Sequence, residues 1–474
     1  MTATGWENLY QDAYNRGLEA IRGLKGVACA FHSVIDGTIR LTPDVIQPVL
    51  DEKPFLKKAA LAGCRGEAPL EINTPEDFIQ GMFYSLKRGA AMQRMIRSEE
   101  TYRWALETFG SGKLRLGGTS ANMARSLAPL DIPVTVYANP LTEDLAGLFG
   151  EFEHLHVIQK TAQGYRLQSP QAAAEEKGVF AIHWIFEYGT DFYLELDGEV
   201  INPHRANRYI PSWNPRNNQF KMDPDFAEGF LSLAESYSHL LFSGFHILSE
   251  TYPDGSTCDD VVRPLGEFLH AVRQQAPHIR VHLEMASIAS TKVRQAVLEQ
   301  VVPYIHSMGL NETELPLLLE NLGDQSMAES LRGEPDVEDY LRACALLVER
   351  THLPRLHFHN LGYYLCLEQK PWENAQDCRD ALLFAAVMAA ARAQNGLFTQ
   401  VEDIAAGKEP PVAQAGIQAL QKVSEFIGDT EFKHTGMGTY QGLTLAMAPT
   451  KVVKNPLFTV GLGDTISAGA FLTE

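Results

Sequence analysis

Two glycines and an acid stand next to each other in Thr459-Val460-Gly461-Leu462-Gly463-Asp464-Thr465-Ile466-Ser467-Ala468-Gly469-Ala470. Val452 and Val453 open a strand-like run before them, and Ala468, Ala470, Phe471 and Leu472 belong to a helix-like one after them. A chain that turns through glycine into a helix N-terminus offers unpaired backbone N–H groups with the positive end of the helix dipole behind them. That is an anion site, suited to the charge that develops when a phosphoryl group moves. A carboxylate at its lip, Asp464, can take a proton from a hydroxyl while the amides of Gly461, Leu462 and Gly463 hold the phosphate. The plainer alternative is a turn in which Asp464 or Thr465 only caps the helix.

Such a loop needs a sheet to carry it, and the texture of the chain supplies one. From Phe226 onward helix-like and strand-like runs alternate: Ala227 to Ser238, His239 to Phe242, Val261 to Gln275, Ile279 to Leu283. Alternation of this kind predicts a parallel sheet with helices on both faces. Lys25 to Ile35 reads as a buried first strand ending at an Asp36-Gly37 turn, and Val134 to Ala138 as another strand. Two stretches are discordant. Between Arg40 and Ser111, prolines 43, 48, 54, 69 and 75 interrupt amphipathic helices such as Pro75 to Arg88, with Phe78, Ile79, Met82, Phe83 and Leu86 at helical spacing. Val179 to Tyr188, Phe192 to Leu196 and Glu199 to Ile201 read as an antiparallel patch with a turn at Asp197-Gly198. The expected architecture is a large doubly wound α/β domain (1–36, 113–180 and 209–474) carrying a smaller lid (37–112 and 181–208).

Ligands of such sheets bind beyond the C-terminal strand ends. Polar residues follow several strand-like runs: Asp36, Glu284 after Ile279–Leu283, Asn311 and Glu312 after Val301–Met308, His359 after Leu356–Phe358, and Asp464. Their convergence on one edge would make a site.

Bulk properties narrow the partners. The 474 residues suffice for two or three domains, and 45% apolar content suffices for a large core. A net charge of −19 argues against a nucleic-acid partner and gives no long-range help to an anionic substrate, so any phosphate has to be held by local groups. Cys29, Cys64, Cys258, Cys344, Cys366 and Cys378 form no Cys-x-x-Cys pair and lack zinc spacing, which fits reduced thiols in the cytoplasm. Met1 to Arg22 has no signal-peptide apolar core. The most apolar helix-like run, Ala381 to Ala393, is too short to span a bilayer and reads as a buried helix, so no membrane partner is expected. The acidic surface is compatible with a monomer.

The chain resembles the ADP-dependent glucokinase and phosphofructokinase family, a branch of the ribokinase-like superfamily. The resemblance is carried, in order along the chain, by Arg115-Leu116-Gly117-Gly118, Ile185-Phe186-Glu187-Tyr188, Asn207-Arg208-Tyr209-Ile210, Ser243-Gly244-Phe245, Val281 to Ser287, Gly309-Leu310-Asn311-Glu312, Gly362-Tyr363-Tyr364-Leu365, Ala448 to Val453 and Gly461 to Phe471. It implies a ribokinase-like α/β/α core with an α/β lid. It implies that Asp464 is the catalytic base and that Gly461 to Gly463 form the anion hole. Glu284 and Glu312 match metal-side acids for a magnesium ion, with His282 either beside them or in the core. Arg208 matches an arginine facing the nucleotide phosphates. Tyr363 and Val453 resemble an adenine-contacting region, bordered by His359 and Asn360, with Asn311 nearby. Asp36, Gly117 and Gly118 match positions that hold sugar hydroxyls.

The acceptor positions depart from the family pattern. Val34 and Thr119 stand where the family has Asn and Gln, and Gln93 where the glucokinases have Glu. His183 is like the glucokinases, whereas Ala181 and Trp184 replace basic or amide residues of the phosphofructokinases. Loss of cations disfavours a phosphorylated acceptor, because an unpaired buried phosphate is costly. The expectation is therefore a kinase that uses ADP to phosphorylate a small neutral sugar, glucose first. The alternatives are an ADP-dependent 6-phosphofructokinase, an ATP-using ribokinase-like kinase, and a catalytically lapsed nucleotide or sugar sensor.

Overall fold

A computed structural model describes residues 3–174, 181–215, 222–252, 254–369, 374–458 and 460–473. The strands are β1 (Val27–Ala30), β2 (Val34–Arg40), β3 (Met92–Met95), β4 (Lys113–Gly117), β5 (Val134–Val136), β6 (Leu155–Thr161), β7 (Gly164–Gln168), β8 (Ile182–Tyr188), β9 (Leu194–Leu196), β10 (Glu199–Ile201), β11 (Asn207–Trp213), β12 (His239–Phe242), β13 (Arg280–Glu284), β14 (Ser307–Asn311), β15 (Arg355–His359), β16 (Tyr363–Glu368), β17 (Met437–Tyr440) and β18 (Leu443–Pro449). Eleven form one sheet in the order β17-β18-β16-β15-β14-β13-β12-β1-β5-β6-β7.

The strands from β5 through β15 in that order are parallel. Their C-terminal ends therefore share one edge. β16 runs antiparallel to β15, and β18 antiparallel to β16, so Tyr363 and Pro449 lie opposite one another on that same edge. Successive crossovers β12 to β15 step one way through the sheet while β1 to β5 steps the other. Right-handed connections then put the intervening helices on opposite faces. One layer holds the mutually packed helices Ala3–Arg22, Thr119–Leu127, Ala375–Asn395 and Leu462–Leu472. The other holds Cys258–Gln275, Thr291–Gln300, Leu315–Asn321 and Val337–Thr351. This is the doubly wound α/β architecture expected from the alternation.

The second sheet has the order β3-β11-β8-β2-β4. Its two faces differ because side chains alternate along a strand. Ile182, Trp184, Phe186 and Tyr188 of β8 and Tyr209 of β11 join Phe78, Phe83 and Leu86 in a core separate from that of the large sheet. Helices Pro43–Glu52, Pro54–Arg65, Pro75–Arg88 and Glu99–Phe109 cover this face. The expected helix Pro75–Arg88 is present, started by a capping box between Thr74 and Asp77 and ended at the left-handed Gly89. The alternate residues Asp36, His183, Glu187, Arg208, Ser212, Gln93 and Arg115 fall on the opposite, polar face, by the registers Asp36↔His183, Asp36↔Arg115, Arg208↔Glu187 and Ser212↔His183, with Gln93 opposite Ile210, the residue between Arg208 and Ser212 on that face.

Several expectations are corrected. Lys25 to Ile35 is not one strand: β1 lies in the large sheet and β2 in the second. The crossing is held by helix Thr119–Leu127, where the His32 carbonyl accepts from the Ser120 N–H (3.2 Å), and Ser33 Oγ donates to the Tyr137 carbonyl (2.7 Å). Asp36-Gly37 is therefore not a turn but the middle of β2. Val452 and Val453 are outside any strand. β18 ends at Pro449, and the backbone then bonds sideways, with the Val452 N–H donating to the Pro411 carbonyl (2.9 Å). A loop, not a strand, thus leads into the last helix. Val301–Met308 begins as a 3-10 turn at Pro303, and β14 starts only at Ser307. The antiparallel patch is divided: β8 pairs parallel with β2, while β9 and β10 form a separate hairpin through Asp197 (φ 47°) and Gly198 (φ 84°). Val179 and Phe180 lie outside the described residues.

Candidate active site

The edge where the parallel strands end collects the acids. Glu284 closes β13, Asn311 closes β14 and His359 closes β15. The last helix, Leu462–Leu472, starts over them, with Gly461 in the left-handed conformation (φ 73°). A Cβ on Gly463 would stand 3.3 Å from His359 Nε2 and 3.7 Å from Glu284 Oε1, so the first turn rests directly on the ends of β13 and β15. Ser467, one turn on, donates to Glu284 Oε2. Gly309 of β14 makes room for that carboxylate; a Cβ there would stand 2.1 Å from Glu284 Oε2. His282 is a core residue: its Nδ1 shares a hydrogen with Ser307 Oγ (2.9 Å) and its ring packs on Phe471.

Asp464 is buried in the first turn of the last helix. Burial pushes its carboxyl up to about 7, against the pull of the Arg392 guanidinium and a hydrogen bond from Asn122 Nδ2 (3.1 Å). Asp36 is also pushed up by burial to about 7, opposed by Arg208 and Arg115 and reinforced by the charge of Asp464. That influence ties the polar face of the second sheet to the last helix. Glu284 is held well above the carboxylate range by burial and by the charges of Glu314 and Asp464. Glu314 is likewise raised, chiefly by burial, while it accepts from the Asn311 N–H (3.0 Å).

The structure thus brings together Asp464, Gly461, Leu462, Gly463, Glu284, His359 and Asp36, and shifts emphasis elsewhere. Glu314, rather than Glu312, is the acid whose charge acts on Glu284; Glu312 is half-buried beside it. Asn311 Oδ1 is taken up by the Thr313 N–H (2.8 Å) and hydroxyl (2.7 Å), so this side chain builds the turn that carries Glu314. Tyr363 is buried against Phe358, and Asn360 Oδ1 accepts from its N–H (2.9 Å). Around it Leu361 and Val452 are exposed and Val453 is half-buried, an apolar rim on the same edge.

The residues expected to hold the acceptor cluster on the polar face. His183 lies opposite Asp36, and Gln93 Nε2 donates to Ser212 Oγ (3.1 Å) on the strand between. Gly117 is required by Asp36 itself, since a Cβ would stand 2.2 Å from Asp36 Oδ1. Gly118 (φ 91°) starts helix Thr119–Leu127. The Thr119 N–H points at His32 Nδ1 (3.4 Å). The His32 ring lies 5.5 Å from that of His183 and 4.9 Å from that of His246. Burial holds all three imidazoles neutral, His183 down to about 3 and His246 to about 4. His32 Nε2, His183 Nε2, His246 Nδ1 and Thr119 Oγ1 are buried without a hydrogen-bond partner among the described residues.

The conserved region of the ADP-specific phosphofructokinase/glucokinase family matches residues 25–473. The chain belongs to that family. It is 30% identical to the ADP-dependent glucose/glucosamine kinase of Pyrococcus abyssi, over 99% of this chain and 98% of that one. It is 29% identical to the ADP-specific phosphofructokinase of Methanosarcina acetivorans, over 98% of this chain and 96% of that one. Among solved structures it is similar to the last common ancestor of ADP-dependent phosphofructokinases from Methanosarcinales (TM-score 0.87, 28% identity, 100% and 98% covered). An ADP-dependent kinase in complex with fructose-6-phosphate and ADPbetaS is similar too (TM-score 0.84, 27% identity, 100% and 98% covered). This family member is an ADP-dependent sugar kinase with the ribokinase-like fold, a phosphotransferase whose acceptor is an alcohol. Among the described residues, no helix is long and apolar enough to cross a membrane.

The residues that the sequence left unnoticed are Glu314, Asn122, Arg392, His32 and His246. Two had a signal. Arg392 is a lone cation near the end of the apolar run Ala381 to Ala393, and a charge on a buried helix must be answered by something. Asn122 follows Gly118 by four residues and so lies over it on the same helix face.

Proposed function

We propose that the chain transfers the β-phosphoryl group of ADP to a hydroxyl of an unphosphorylated hexose, glucose foremost, and releases AMP in the cytoplasm. The observation that carries the neutral acceptor is the histidine cluster beside Asp36. Unmatched buried hydrogen-bonding atoms cost about 1–3 kcal/mol each, and His32, His183, His246 and Thr119 supply four. A polyol can answer them with hydroxyls. Uncharged imidazoles offer little to a phosphate dianion.

In this reading Asp464 takes the hydroxyl proton. A carboxyl pushed up to about 7 exchanges a proton near neutrality, as a general base should. The N–H groups of Gly461 to Gly463 receive the transferring phosphate, and Arg208 approaches its far side from the second sheet. Glu284 and Glu314 fit a divalent cation: both are buried carboxylates with raised proton affinity, Glu284 partly through the charge of Glu314, and a metal charge relieves that cost. Such an ion, when bound, neutralises phosphate charge. Segments 37–112 and 181–208 act as a lid that excludes water, on a body of 1–36, 113–180 and 209–474; strands β2 and β11 cross those boundaries, and β4 starts at one.

A second reading, 6-phosphofructokinase activity, is favoured by Arg115 and Arg208 on the same polar face and by the fructose-6-phosphate complex of a similar kinase. Phosphorus NMR of the enzyme with ADP, magnesium and glucose tests the first. AMP and glucose phosphate should appear together, and ATP should substitute poorly. Absence of AMP with every neutral hexose would overturn the reading.

A further inference from the structure

Arg392 is a buried cation without a described ion-pair partner, set directly under the anion loop. It projects from helix Ala375–Asn395, whose residues from Cys378 to Ala393 are all buried. Its guanidinium is pinned by polar but uncharged groups: Nη1 donates to Ser126 Oγ (2.6 Å) and Thr465 Oγ1 (3.0 Å), and Nη2 to Asn122 Oδ1 (2.9 Å). Ser126 and Thr465 are themselves joined (2.9 Å), and Thr465 Oγ1 returns to the Gly461 carbonyl (3.0 Å). A Cβ on Gly461 would stand 2.8 Å from Arg392 Nη2. Asn122 then spends its other end on Asp464, with Nδ2 donating to Oδ2 (3.1 Å). Arg125 lies close enough to Arg392 for their charges to repel. In a chain of net charge −19, this pocket of positive charge is placed where an anion must sit.

A buried, unanswered cation is expensive and is usually replaced or paired. Here the nearby acid whose charge acts on it is Asp464, reached through Asn122. We propose that Arg392 and Asn122 are positioning residues for phosphoryl transfer. Arg392 fixes the amide of Asn122 so that its NH₂ faces Asp464, leaving the other carboxylate oxygen, Oδ1, for the acceptor hydroxyl. It fixes the Gly461 loop through Thr465, and it backs the loop with the charge that the acidic surface lacks. The inference rests on Asp464 being the base.

The test measures kcat, KM for both substrates and ADP binding for the wild-type enzyme, Arg392→Met, Arg392→Lys and Asn122→Ala, each repeated in an Asp464→Asn background. Loss of one preorganised electrostatic group costs about 10²-fold or more in kcat. Arg392→Met should lose about that much, with KM for ADP within about threefold. Arg392→Lys should recover a large part, and Asn122→Ala should lose about tenfold. In the Asp464→Asn background Arg392→Met should add little, because residues that act as a unit are not additive. A full further loss in that background, no rescue by Lys, or a kcat within threefold of wild type would overturn the inference. Should Arg392→Met not fold, Arg392→Lys and Asn122→Ala still give the reading. A wild-type enzyme that forms no AMP would overturn the proposed function instead.

Discussion

The proposed transfer centre around Asp464 and the proposed acceptor face around Asp36 are built in opposite ways. The transfer centre is charged and largely contiguous in sequence. Gly461, Leu462, Gly463 and Asp464 follow one another, and a guanidinium stands behind them. The proposed acceptor face sets neutral histidines beside one acid, Asp36, and is assembled from distant strands. Asp36, Gln93, His183 and Ser212 come from β2, β3, β8 and β11, and His32 and His246 from two connections of the large sheet. The difference matches the chemistry. Moving a phosphoryl group needs preorganised dipoles and charge. Holding a neutral polyol, the acceptor proposed here, needs a shape with hydrogen-bonding atoms.

Substitutions can separate the two regions. The largest effect is expected at the transfer centre. Asp464→Asn should lower kcat about 10²- to 10⁴-fold, while calorimetric titration still finds ADP bound with near wild-type affinity. Retained turnover would remove Asp464 as the base. Next comes the support of the acceptor face. Phe78 lies in the separate core behind the second sheet, and Phe78→Ala should cost about 3–5 kcal/mol. Because that core is distinct from the main one, calorimetry should show an early transition split from a main one that hardly moves. A single lowered transition would show that the two regions unfold as one. The smallest effect is at a single acceptor contact. His183→Ala should raise KM for glucose about tenfold, the worth of roughly 1.4 kcal/mol, with KM for ADP unchanged.

The same contrast explains what was legible in the chain. Local features were: the capped helix Pro75–Arg88, strand His239–Phe242, and the glycine loop with Asp464. Each depends on residues a few positions apart. The strand-like run ending at Tyr188 was legible too, as β8 at Ile182–Tyr188. What failed was non-local. Lys25 to Ile35 is mostly apolar, and the short polar pair His32-Ser33, which lies between Ala30 and Val34 where the chain leaves one sheet for another, is too small a break to separate two strands by pattern alone. Glu312 and Glu314 differ only in which way a turn points them, and that is set by Asn311 capping the turn. The histidine cluster draws on positions 32, 183 and 246, which the topology alone brings into contact.

The neutral acceptor is the central claim, and one measurement reaches it most directly: kcat/KM for glucose and for fructose 6-phosphate, side by side, with ADP and magnesium at neutral pH. An uncharged histidine face beside Asp36 predicts the higher value for glucose or another neutral hexose. Faster use of fructose 6-phosphate than of every neutral sugar would contradict the account, and would reassign Arg115 and Arg208 to the acceptor's phosphate.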